Sequence, residues 1–588
     1  MQKINPTQMA DWEIAAQAAQ TMKTIHELAR EFGLNEDEII PYGHYTGKID
    51  FLKLLQRKAS APRGHMVNVT AITPTPLGSG KSTVTMGLIQ GLAALGKKAT
   101  GAIRQPSMGP TFNIKGSAAG GGLSQCIPLN DFSLGLTGDI DAVTKAHNLG
   151  MVALTARMQH EFNYSDDVLA SKNLQRLDID PQQISQGWAM DLCAQSLRTI
   201  IMGIGGKQDG FMSQSGFQIS VSSELMAILS VATSLADMRH RIARMIMAYS
   251  KKGAPITAAD LEVDGAMTAL LAKALQPNLL QTIEGQPVLV HTGPFANIAL
   301  GQSSIIADQV GTALADYHLT ESGFGADIGF EKFWNLKSRF SGITPAASVL
   351  VVTIRDLKLH GGAPDVKGGA DLPEEYRQNR PDLVKAGLDN MRAHLDIIRK
   401  SGVNPVVCLN HFYTDTDEEV QVVMDAAADY GVRAAVSKHW LKGGEGAREL
   451  AQAVVEACEE PVQFRFLYEM EEPLETKVER IAREVYGADG ADFAPLAQKK
   501  LKRIAELEKE KPLGCCMAKT QFSLSDQAAL KNRPQNWRLQ IKDILVYQGA
   551  GFAVPVAGDI KLMPGTASNP AFRRIDIDVD TGEVKGVF

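Results

Sequence analysis

The sequence lacks the features that mark nucleic-acid-binding and membrane-spanning proteins. Its 588 residues carry a formal net charge of -6 and contain no basic tract, so nothing favours a nucleic-acid partner. No uncharged apolar run is long enough to cross a bilayer, and the N-terminus has no apolar segment typical of a signal peptide. These absences predict a cytoplasmic protein that binds neither nucleic acid nor a membrane.

Cysteine is scarce as well. The chain has six cysteines, none at a spacing typical of metal ligands, and the adjacent pair Cys515 and Cys516 would make a poor disulfide. A reducing compartment fits this pattern best. With 44% hydrophobic and 21% charged residues, the composition is that of an ordinary globular protein. A chain of this length is expected to form about three or four domains.

Apolar runs typical of buried strands alternate with helical patterns along most of the chain. The helical segment 416–430 opens with a capping-box pattern, and 381–400 is a second example. Such alternation predicts an α/β fold with a parallel sheet. We predict a large P-loop NTPase-like domain over residues 1–375 and two smaller α/β domains, one over 376–462 with an aromatic ligand pocket and one over 463–588. The main strand candidates are 66–72, 97–103, 286–293, 347–354, 404–410 and 432–438.

A glycine-rich stretch, TPTPLGSGKST at residues 73–83, lies between the first of these strands and a helical pattern. It fits the phosphate-binding pattern G-x-x-x-x-G-K-[ST] except that Thr75 replaces the first glycine. In such a loop, backbone N–H groups and the positive end of the following helix converge on phosphate oxygens. We predict that Lys81 reaches the outer phosphates, that Ser82 holds Mg²⁺ and that Thr83 adds a second hydroxyl. The alternative is an ordinary strand-to-helix turn. The predicted nucleotide-binding residues are Thr75, Pro76, Gly78, Ser79, Gly80, Lys81, Ser82 and Thr83.

Arg104 lies at the C-terminal end of the next predicted strand. Ligands bind at that edge of a parallel sheet, and an arginine there is suited to clamping a carboxylate or an acyl phosphate with two hydrogen bonds. The alternative role for Arg104 is a surface ion pair. A second glycine-rich stretch, residues 112–125, follows closely. Its three consecutive glycines allow close approach of a ligand, although such a stretch is also typical of a flexible loop.

Two aromatic residues, Phe412 and Trp440, follow neighbouring predicted strands. Two aromatic faces on one rim of a sheet can hold a flat heterocycle between them. Aromatic residues at strand ends are also typical of an apolar core, and the sequence leaves both interpretations open.

Taken together, these stretches closely resemble the formate–tetrahydrofolate ligase family over nearly the whole chain. In that family ATP phosphorylates formate, and formyl phosphate passes its formyl group to the amine of tetrahydrofolate. The resemblance implies ATP and Mg²⁺ as cofactors, formate and a reduced folate as substrates, and a homotetramer; it leaves a monovalent-cation requirement open. It rests on motifs at residues 73–83, 114–125, 291–299, 320–333, 351–362, 442–447, 517–526 and 549–565.

The resemblance also implies roles for single residues. Lys81 and Thr83 would contact the transferred phosphoryl group, and Arg104 would hold formate and then formyl phosphate. Phe412 and Trp440 would stack the pterin or the adenine. Asp139 would lie near the acceptor amine. The implied catalytic residues are Lys81, Arg104 and Asp139, and the products are 10-formyltetrahydrofolate, ADP and phosphate.

Several positions depart from the family pattern. Gln105, Gln214 and Gln218 stand where the family has acids, which predicts weak activity with tetrahydrofolate and a relative preference for a more oxidised folate. The alternatives are ordinary divergence, a paralogue that uses dihydrofolate or another acceptor, and a weakly active nucleotide- or folate-binding homologue. A nucleotide-driven switch ATPase would share the loop but not the C-terminal motifs. Further departures are Asn113, Ser117, Leu123, Asn130, Gly135, Leu136, Asp141, Asp356, Tyr413 and residues 300–302.

Overall fold

The structure is a computed structural model, and it describes residues 4–114, 118–366 and 371–587. The α-helices are α1 (Asp11–Ala19), α2 (Ile25–Phe32), α3 (Phe51–Arg57), α4 (Lys81–Ala94), α5 (Met108–Thr111), α6 (Leu129–Ser133), α7 (Asp139–Asn163), α8 (Asp166–Ser171), α9 (Glu224–Val231), α10 (Leu235–Ala243), α11 (Asp264–Leu271), α12 (Ile305–Leu314), α13 (Ser338–Ser341), α14 (Ile354–His360), α15 (Pro381–Lys400), α16 (Asp417–Asp429), α17 (His439–Lys442), α18 (Arg448–Glu459), α19 (Leu474–Glu484) and α20 (Pro495–Glu508).

Most strands are short, and those that position the site are longer. The strands are β1 (Ile39–Pro41), β2 (Gly47–Ile49), β3 (His65–Ala71), β4 (Ala99–Ile103), β5 (Gly120–Gly121), β6 (Ser124–Ile127), β7 (Ile179–Ile184), β8 (Trp188–Met190), β9 (Ile200–Met202), β10 (Ser213–Ser215), β11 (Phe217–Ile219), β12 (Ile246–Ser250), β13 (Pro255–Thr257), β14 (Asn278–Thr282), β15 (Pro287–Val290), β16 (Tyr317–Glu321), β17 (Ala347–Val352), β18 (Asn404–Asn410), β19 (Arg433–Ser437), β20 (Ala491–Phe493), β21 (Gly514–Cys515), β22 (Leu539–Tyr547), β23 (Phe552–Ala557), β24 (Asp576–Ile577) and β25 (Val584–Lys585).

A large central sheet organises the molecule, with strand order β1-β2-β14-β15-β4-β16-β3-β17-β18-β19. From β15 to β19 each strand runs parallel to its neighbour. Parallel strands are covered on both faces, which is why these segments read as apolar runs rather than as alternating patterns. The predicted α/β fold with a parallel sheet is therefore confirmed.

Helices cover both faces of this sheet. On β3, Val67 and Val69 are fully buried in the cluster that includes apolar residues of α4 and α18, such as Leu88. Met66, on the other face, belongs to the cluster that contains Leu395 of α15. Side chains alternate along a strand, so one apolar strand supplies both layers of the core.

Strands β18 and β19 extend the central sheet, and the segment 376–462 thus shares a sheet with the residues before it. A separate sheet of order β20-β22-β23-β21 lies in the segment 463–588 and packs in the same apolar cluster as α15. The domain limits drawn from the sequence stay predictions. None of the helices in the described part of the chain is both long and apolar enough to cross a membrane.

Candidate functional site

The predicted site residues follow strands whose carboxyl ends lie at one edge of the central sheet. The glycine-rich loop, residues 72–80, follows β3, and Arg104 follows β4 directly. Phe412 comes two residues after β18, and Trp440 three residues after β19. These four strands are parallel members of one sheet, so the structure brings the loop, the arginine and both aromatic residues to a common edge.

The glycine-rich loop presents backbone donors without partners. Gly78 and Gly80 have φ of 81° and 75°, a left-handed conformation that glycine adopts without strain. In the described residues, the N–H groups of Leu77, Ser79 and Gly80 donate no hydrogen bond. Gly80 is also the N-cap residue of α4 and offers no side-chain cap, so the first N–H groups of that helix lack partners within the described residues as well. The loop can therefore receive an anion such as a phosphate group.

Two buried side chains, one on the helix after β17 and one at the end of β18, hold the loop in this shape. Asp356, in the first turn of α14, accepts a hydrogen bond from the Thr75 N–H at 2.7 Å. Asn410, at the end of β18, donates its amide to the Ser79 carbonyl at 3.0 Å. Burial raises the pKa of the Asp356 carboxyl, and the Thr75 hydrogen bond opposes that shift. Thr75 and Ser79 are buried, Pro76 and Gly78 are exposed, and Gly80, Lys81, Ser82 and Thr83 are half-buried.

Glu321, the last residue of β16, connects the loop helix to Arg104. Its carboxylate accepts a hydrogen bond from the Ser82 hydroxyl at 2.8 Å and lies 3.9 Å from the Arg104 guanidinium. Arg104 also donates to the Pro294 carbonyl at 3.3 Å. Burial lowers the pKa of Lys81, and the charge of Glu321 counteracts the shift. Glu321 thus balances a group of cations at the site.

Glu321 is not among the residues predicted from the sequence, although it lies inside one of the motifs that carry the family resemblance. The available signal was an acid at the very end of the apolar strand YHLTE. Asp356 was noted only as a departure from the family pattern, and Asn410 was not singled out. All three side chains act on the loop from other strands of the sheet or from the helix that follows one.

The oxygen atoms of Ser82 and Glu321 fit a magnesium ion. Mg²⁺ takes oxygen ligands in an octahedron and usually combines one or two protein ligands with water and substrate phosphates. The Ser82 hydroxyl and the Glu321 carboxylate are adjacent and lie beside the phosphate-receiving loop. In the described ranges, no group of three or more His, Cys, Asp or Glu side chains is placed to hold a metal. A magnesium ion at this site would therefore depend on the nucleotide for further ligands.

The two predicted stacking residues have different neighbours. The guanidinium of Arg355 lies 4.7 Å from the centre of the Phe412 ring. The Trp440 ring lies 6.4 Å from the ring of Tyr413, with an angle of 33° between the planes. Phe412 and Trp440 are both half-buried, whereas Tyr413 is 69% exposed. Part of each predicted stacking residue is accessible to a ligand.

The second glycine-rich stretch packs against Trp440. The Leu123 N–H donates to the Trp440 carbonyl at 2.9 Å. A Cβ atom on Gly122 would lie 2.4 Å from the same carbonyl oxygen, and Gly122 has φ of 56°. Only glycine tolerates both conditions, so this stretch fixes the backbone that carries the tryptophan. Ser117, one of the departures from the family pattern, lies outside the described residues.

Asp139 lies in a buried ion pair. Its carboxylate is 2.8 Å from the Lys48 ammonium and accepts a hydrogen bond from the Asn278 amide at 2.8 Å. Asn278 also donates to the carbonyl of Val290, the last residue of β15, and Asp139 therefore lies near the same edge of the sheet. Burial lowers the pKa of Lys48, and the charge of Asp139 opposes that shift. Any role of Asp139 toward a substrate stays a prediction.

The three glutamines predicted to stand in place of acids have different surroundings. Gln105 is buried and donates to the Gly135 carbonyl at 3.3 Å. Gln218 is buried beside His147, with 3.2 Å between the nitrogens. Gln214 is exposed on β10. No hydrogen bond between the described residues joins any two of these glutamines.

Comparison with known proteins gives a consistent result. The family model described as formate–tetrahydrofolate ligase matches residues 9–588. A protein of that name from Dehalococcoides mccartyi is 61% identical over 588 residues, which cover 100% of this chain and 98% of the relative. One from Desulforapulum autotrophicum is 58% identical over 589 residues, 100% of both chains. One from Thermodesulfovibrio yellowstonii is 54% identical over 585 residues, 99% of both chains.

Proposed function

Since the chain belongs to the formate–tetrahydrofolate ligase family, we propose that it uses ATP to join formate to the amine of tetrahydrofolate, giving 10-formyltetrahydrofolate, ADP and phosphate. One observation carries the proposal beyond the family name. The partnerless N–H groups of the loop, Lys81 and Arg104 meet at one edge of the sheet, with Glu321 between Ser82 and Arg104. A nucleotide phosphate and a small carboxylate find complementary groups side by side there.

The loop acts as a P-loop in this proposal. The N–H groups of Leu77, Ser79 and Gly80 and of the first turn of α4 hold the phosphates, with Lys81 and the Thr83 hydroxyl at the transferred group. Of the remaining predicted residues, Ser79 and Gly80 contribute their N–H groups. Thr75, Pro76 and Gly78 shape the loop instead, because the N–H groups of Thr75 and Gly78 are already bonded and proline has none. Ser82 and Glu321 would hold Mg²⁺, which when bound would neutralise phosphate charge and help to orient the phosphates.

Arg104 positions formate for attack on the nucleotide. A carboxylate oxygen of formate attacks the γ-phosphorus, the bond between this phosphorus and the β,γ-bridging oxygen breaks, and ADP leaves. Lys81 and Arg104 stabilise the negative charge that develops on the transferred group, and Arg104 then holds formyl phosphate. Formate is a poor acylating agent because it has no good leaving group. In formyl phosphate, the phosphate group is the leaving group.

The second step transfers the formyl group. The acceptor amine attacks the formyl carbon, the carbon–oxygen bond to phosphate breaks, and the amine loses a proton. The pterin ring stacks on Phe412 and Trp440 at the same edge of the sheet. Asp139 lies near this acceptor in the proposal and helps to hold its surroundings through the ion pair with Lys48.

The alternative acceptors are not favoured. Relatives that are 54% to 61% identical over essentially their whole length carry the name formate–tetrahydrofolate ligase. The exposed position of Gln214 also removes one of the three glutamines from the argument for an altered folate site. Ordinary divergence is the simpler account of these positions.

The assembly and environment of the enzyme belong to the same proposal. We expect a homotetramer in the cytoplasm, with any monovalent-cation requirement to be determined by replacing the cation in the assay. Sedimentation velocity at assay concentration measures the oligomer directly.

An acceptor panel tests the proposed function. ADP release and the absorbance of the acid-converted product are followed with ATP, formate and either tetrahydrofolate, dihydrofolate or folate. We expect ADP release that requires formate and a product that forms with tetrahydrofolate. ADP release that depends on neither formate nor folate would instead support a switch ATPase.

A further inference from the structure

Thr73, which follows β3 at the start of the loop, has all of its polar groups bonded to buried side chains. Its N–H donates to the Asn390 side-chain oxygen at 3.1 Å, and the Asn390 amide donates to its hydroxyl at 3.1 Å. The hydroxyl also lies 3.0 Å from Nε2 of His394. Nε2 of His360 lies 2.9 Å from the Thr73 carbonyl oxygen. These four residues are between 0% and 4% exposed.

The partners fix the proton positions on His360. The Thr73 carbonyl can only accept, so Nε2 of His360 carries a proton and donates it. Nδ1 of the same ring accepts a hydrogen bond from the Asn532 N–H at 2.9 Å. Burial lowers the pKa of His360 to about 4, and the ring is therefore neutral near pH 7. His360 connects the loop to the backbone of Asn532 through one donor and one acceptor.

Asn532 also bonds to Asn390, another partner of Thr73. Its carbonyl accepts a hydrogen bond from the Asn390 amide at 2.8 Å, and its own amide donates to the Ala386 carbonyl at 2.8 Å. Asn532 has φ of 61°, a left-handed conformation that asparagine adopts more readily than most residues. A single residue of the segment 463–588 thus contacts two of the three side chains that hold Thr73, those of Asn390 and His360.

The loop beyond Thr73 has little freedom to adjust. Pro74 and Pro76 have fixed φ angles and no N–H groups, and the Thr75 N–H is bonded to Asp356. A shift of Thr73 would therefore move the partnerless N–H groups of Leu77, Ser79 and Gly80 together. Misplacement of such donors by about 1 Å is enough to impair binding and catalysis severely.

We propose that Asn390 and His360 are positioning residues for the phosphate loop and that Asn532 holds both in place. This inference rests on the proposed function, since it assigns the loop to ATP. In this proposal, nucleotide binding at the central sheet depends on the segment 463–588, through Asn532. Neither Asn390, His360 nor Asn532 touches the substrate in this assignment.

Two substitutions of His360 separate positioning from general stability. In His360→Gln, the amide nitrogen can reach the position of Nε2 and donate to the Thr73 carbonyl. In His360→Asn, the shorter amide occupies the position of Nδ1, keeps an acceptor for Asn532 and leaves Thr73 without its donor. We expect His360→Asn to raise KM for ATP and Kd for ADP about tenfold, the loss of one buried hydrogen bond, and His360→Gln to stay within about threefold. KM for the folate should stay unchanged in both.

A histidine outside the loop provides the matched control. His147 is buried on α7, with Nε2 2.7 Å from the Gly187 carbonyl oxygen and Nδ1 2.8 Å from the Ser223 hydroxyl. We expect His147→Asn to lower Tm as much as His360→Asn while leaving KM for ATP unchanged. Equal KM values for ATP in wild type, His360→Asn and His360→Gln would overturn the inference. Wild type that neither binds ADP nor releases it from ATP would instead overturn the proposed function.

Discussion

The Ser82 hydroxyl donates a hydrogen bond of 2.8 Å to the Glu321 carboxylate. Ser82 is the predicted magnesium ligand, and the same carboxylate lies 3.9 Å from the Arg104 guanidinium. In the proposed function the metal site and the formate site would therefore share one acid, which would connect the binding of the nucleotide to that of formate.

Replacing Glu321 tests this shared role. We expect Glu321→Gln to raise the Mg²⁺ concentration needed for half-maximal rate by about tenfold, because a neutral amide is a weaker magnesium ligand. Ser82→Ala should shift the Mg²⁺ requirement in the same direction. Initial rates over a magnesium titration at fixed ATP measure both. An unchanged requirement in the two variants would exclude this pair as the metal ligands.

Lys81 is expected to matter for turnover and not for the fold. Burial lowers the pKa of Lys81, which means that the folded state disfavours its charged form. Removing the side chain should therefore cost little stability. Lys81→Ala should reduce ATP-dependent turnover by roughly a hundredfold or more. Thermal unfolding and steady-state rates are compared with those of Lys97→Ala, an exposed lysine beyond the end of α4. Turnover at the wild-type level would refute the phosphate role.

Substitution of Arg104 tests whether formate binding needs the paired hydrogen bonds of arginine or only its positive charge. Lysine keeps the charge of arginine but cannot form the paired hydrogen bonds to a carboxylate. We therefore expect Arg104→Lys to lose nearly as much kcat/KM for formate as Arg104→Ala. Formate titrations at saturating ATP and folate give the values. Substantial activity in Arg104→Lys would show that charge alone is enough at this position.

Substitution of the two aromatic residues shows whether they bind the pterin or the adenine. We expect Trp440→Ala and Phe412→Ala to raise KM for the folate about tenfold or more and to leave KM for ATP within about twofold. Tyr413→Ala is the control, since this ring neighbours Trp440 but is 69% exposed. A rise in KM for ATP with an unchanged KM for the folate would reassign the two rings to the adenine.

The lowered pKa of His360 predicts a specific pH dependence of the free energy of unfolding. Its pKa is lowered by burial to about 4, below the value of about 6.5 in the unfolded chain. The unfolded state therefore binds more protons between these values, and the stabilising contribution of neutral His360 is full above pH 6.5 and decreases as the pH falls toward 4. At pH 5 the loss amounts to about 2 kcal/mol.

Measurement by difference isolates this contribution, because the buried acids Glu224 and Glu331, with pKa raised to about 8, titrate in the opposite sense. The free energy of unfolding of wild type minus that of His360→Gln, from urea titrations, should be about 2 kcal/mol lower at pH 5 than at pH 7.5. A difference that does not change with pH would mean that His360 is not buried as a neutral ring.

The sequence predicts those features that depend on short stretches of chain. The strands before the loop and before Arg104 follow from apolar runs, and the loop follows from its glycines and lysine. The helix α16 begins after the Thr416 cap that its capping box indicates. In each case the residues that determine the structure are neighbours in the sequence.

The remaining parts of the site depend on contacts between distant segments. Ser82 and Glu321 are 239 positions apart, and Thr75 and Asp356 are 281 positions apart. These pairs form because β16 and β17 flank β3 on either side, an order that no periodicity in the sequence reveals. The continuation of the sheet into β18 and β19 was not predicted for the same reason.

The fate of a formate oxygen tests the central claim most directly. In the proposed reaction one oxygen of formate bonds to the γ-phosphorus and leaves with the phosphate. With ¹⁸O-labelled formate, ATP and tetrahydrofolate, we predict that each inorganic phosphate formed together with the formylated product carries one ¹⁸O atom, as measured by mass spectrometry. Formation of the product with entirely unlabelled phosphate would contradict the account.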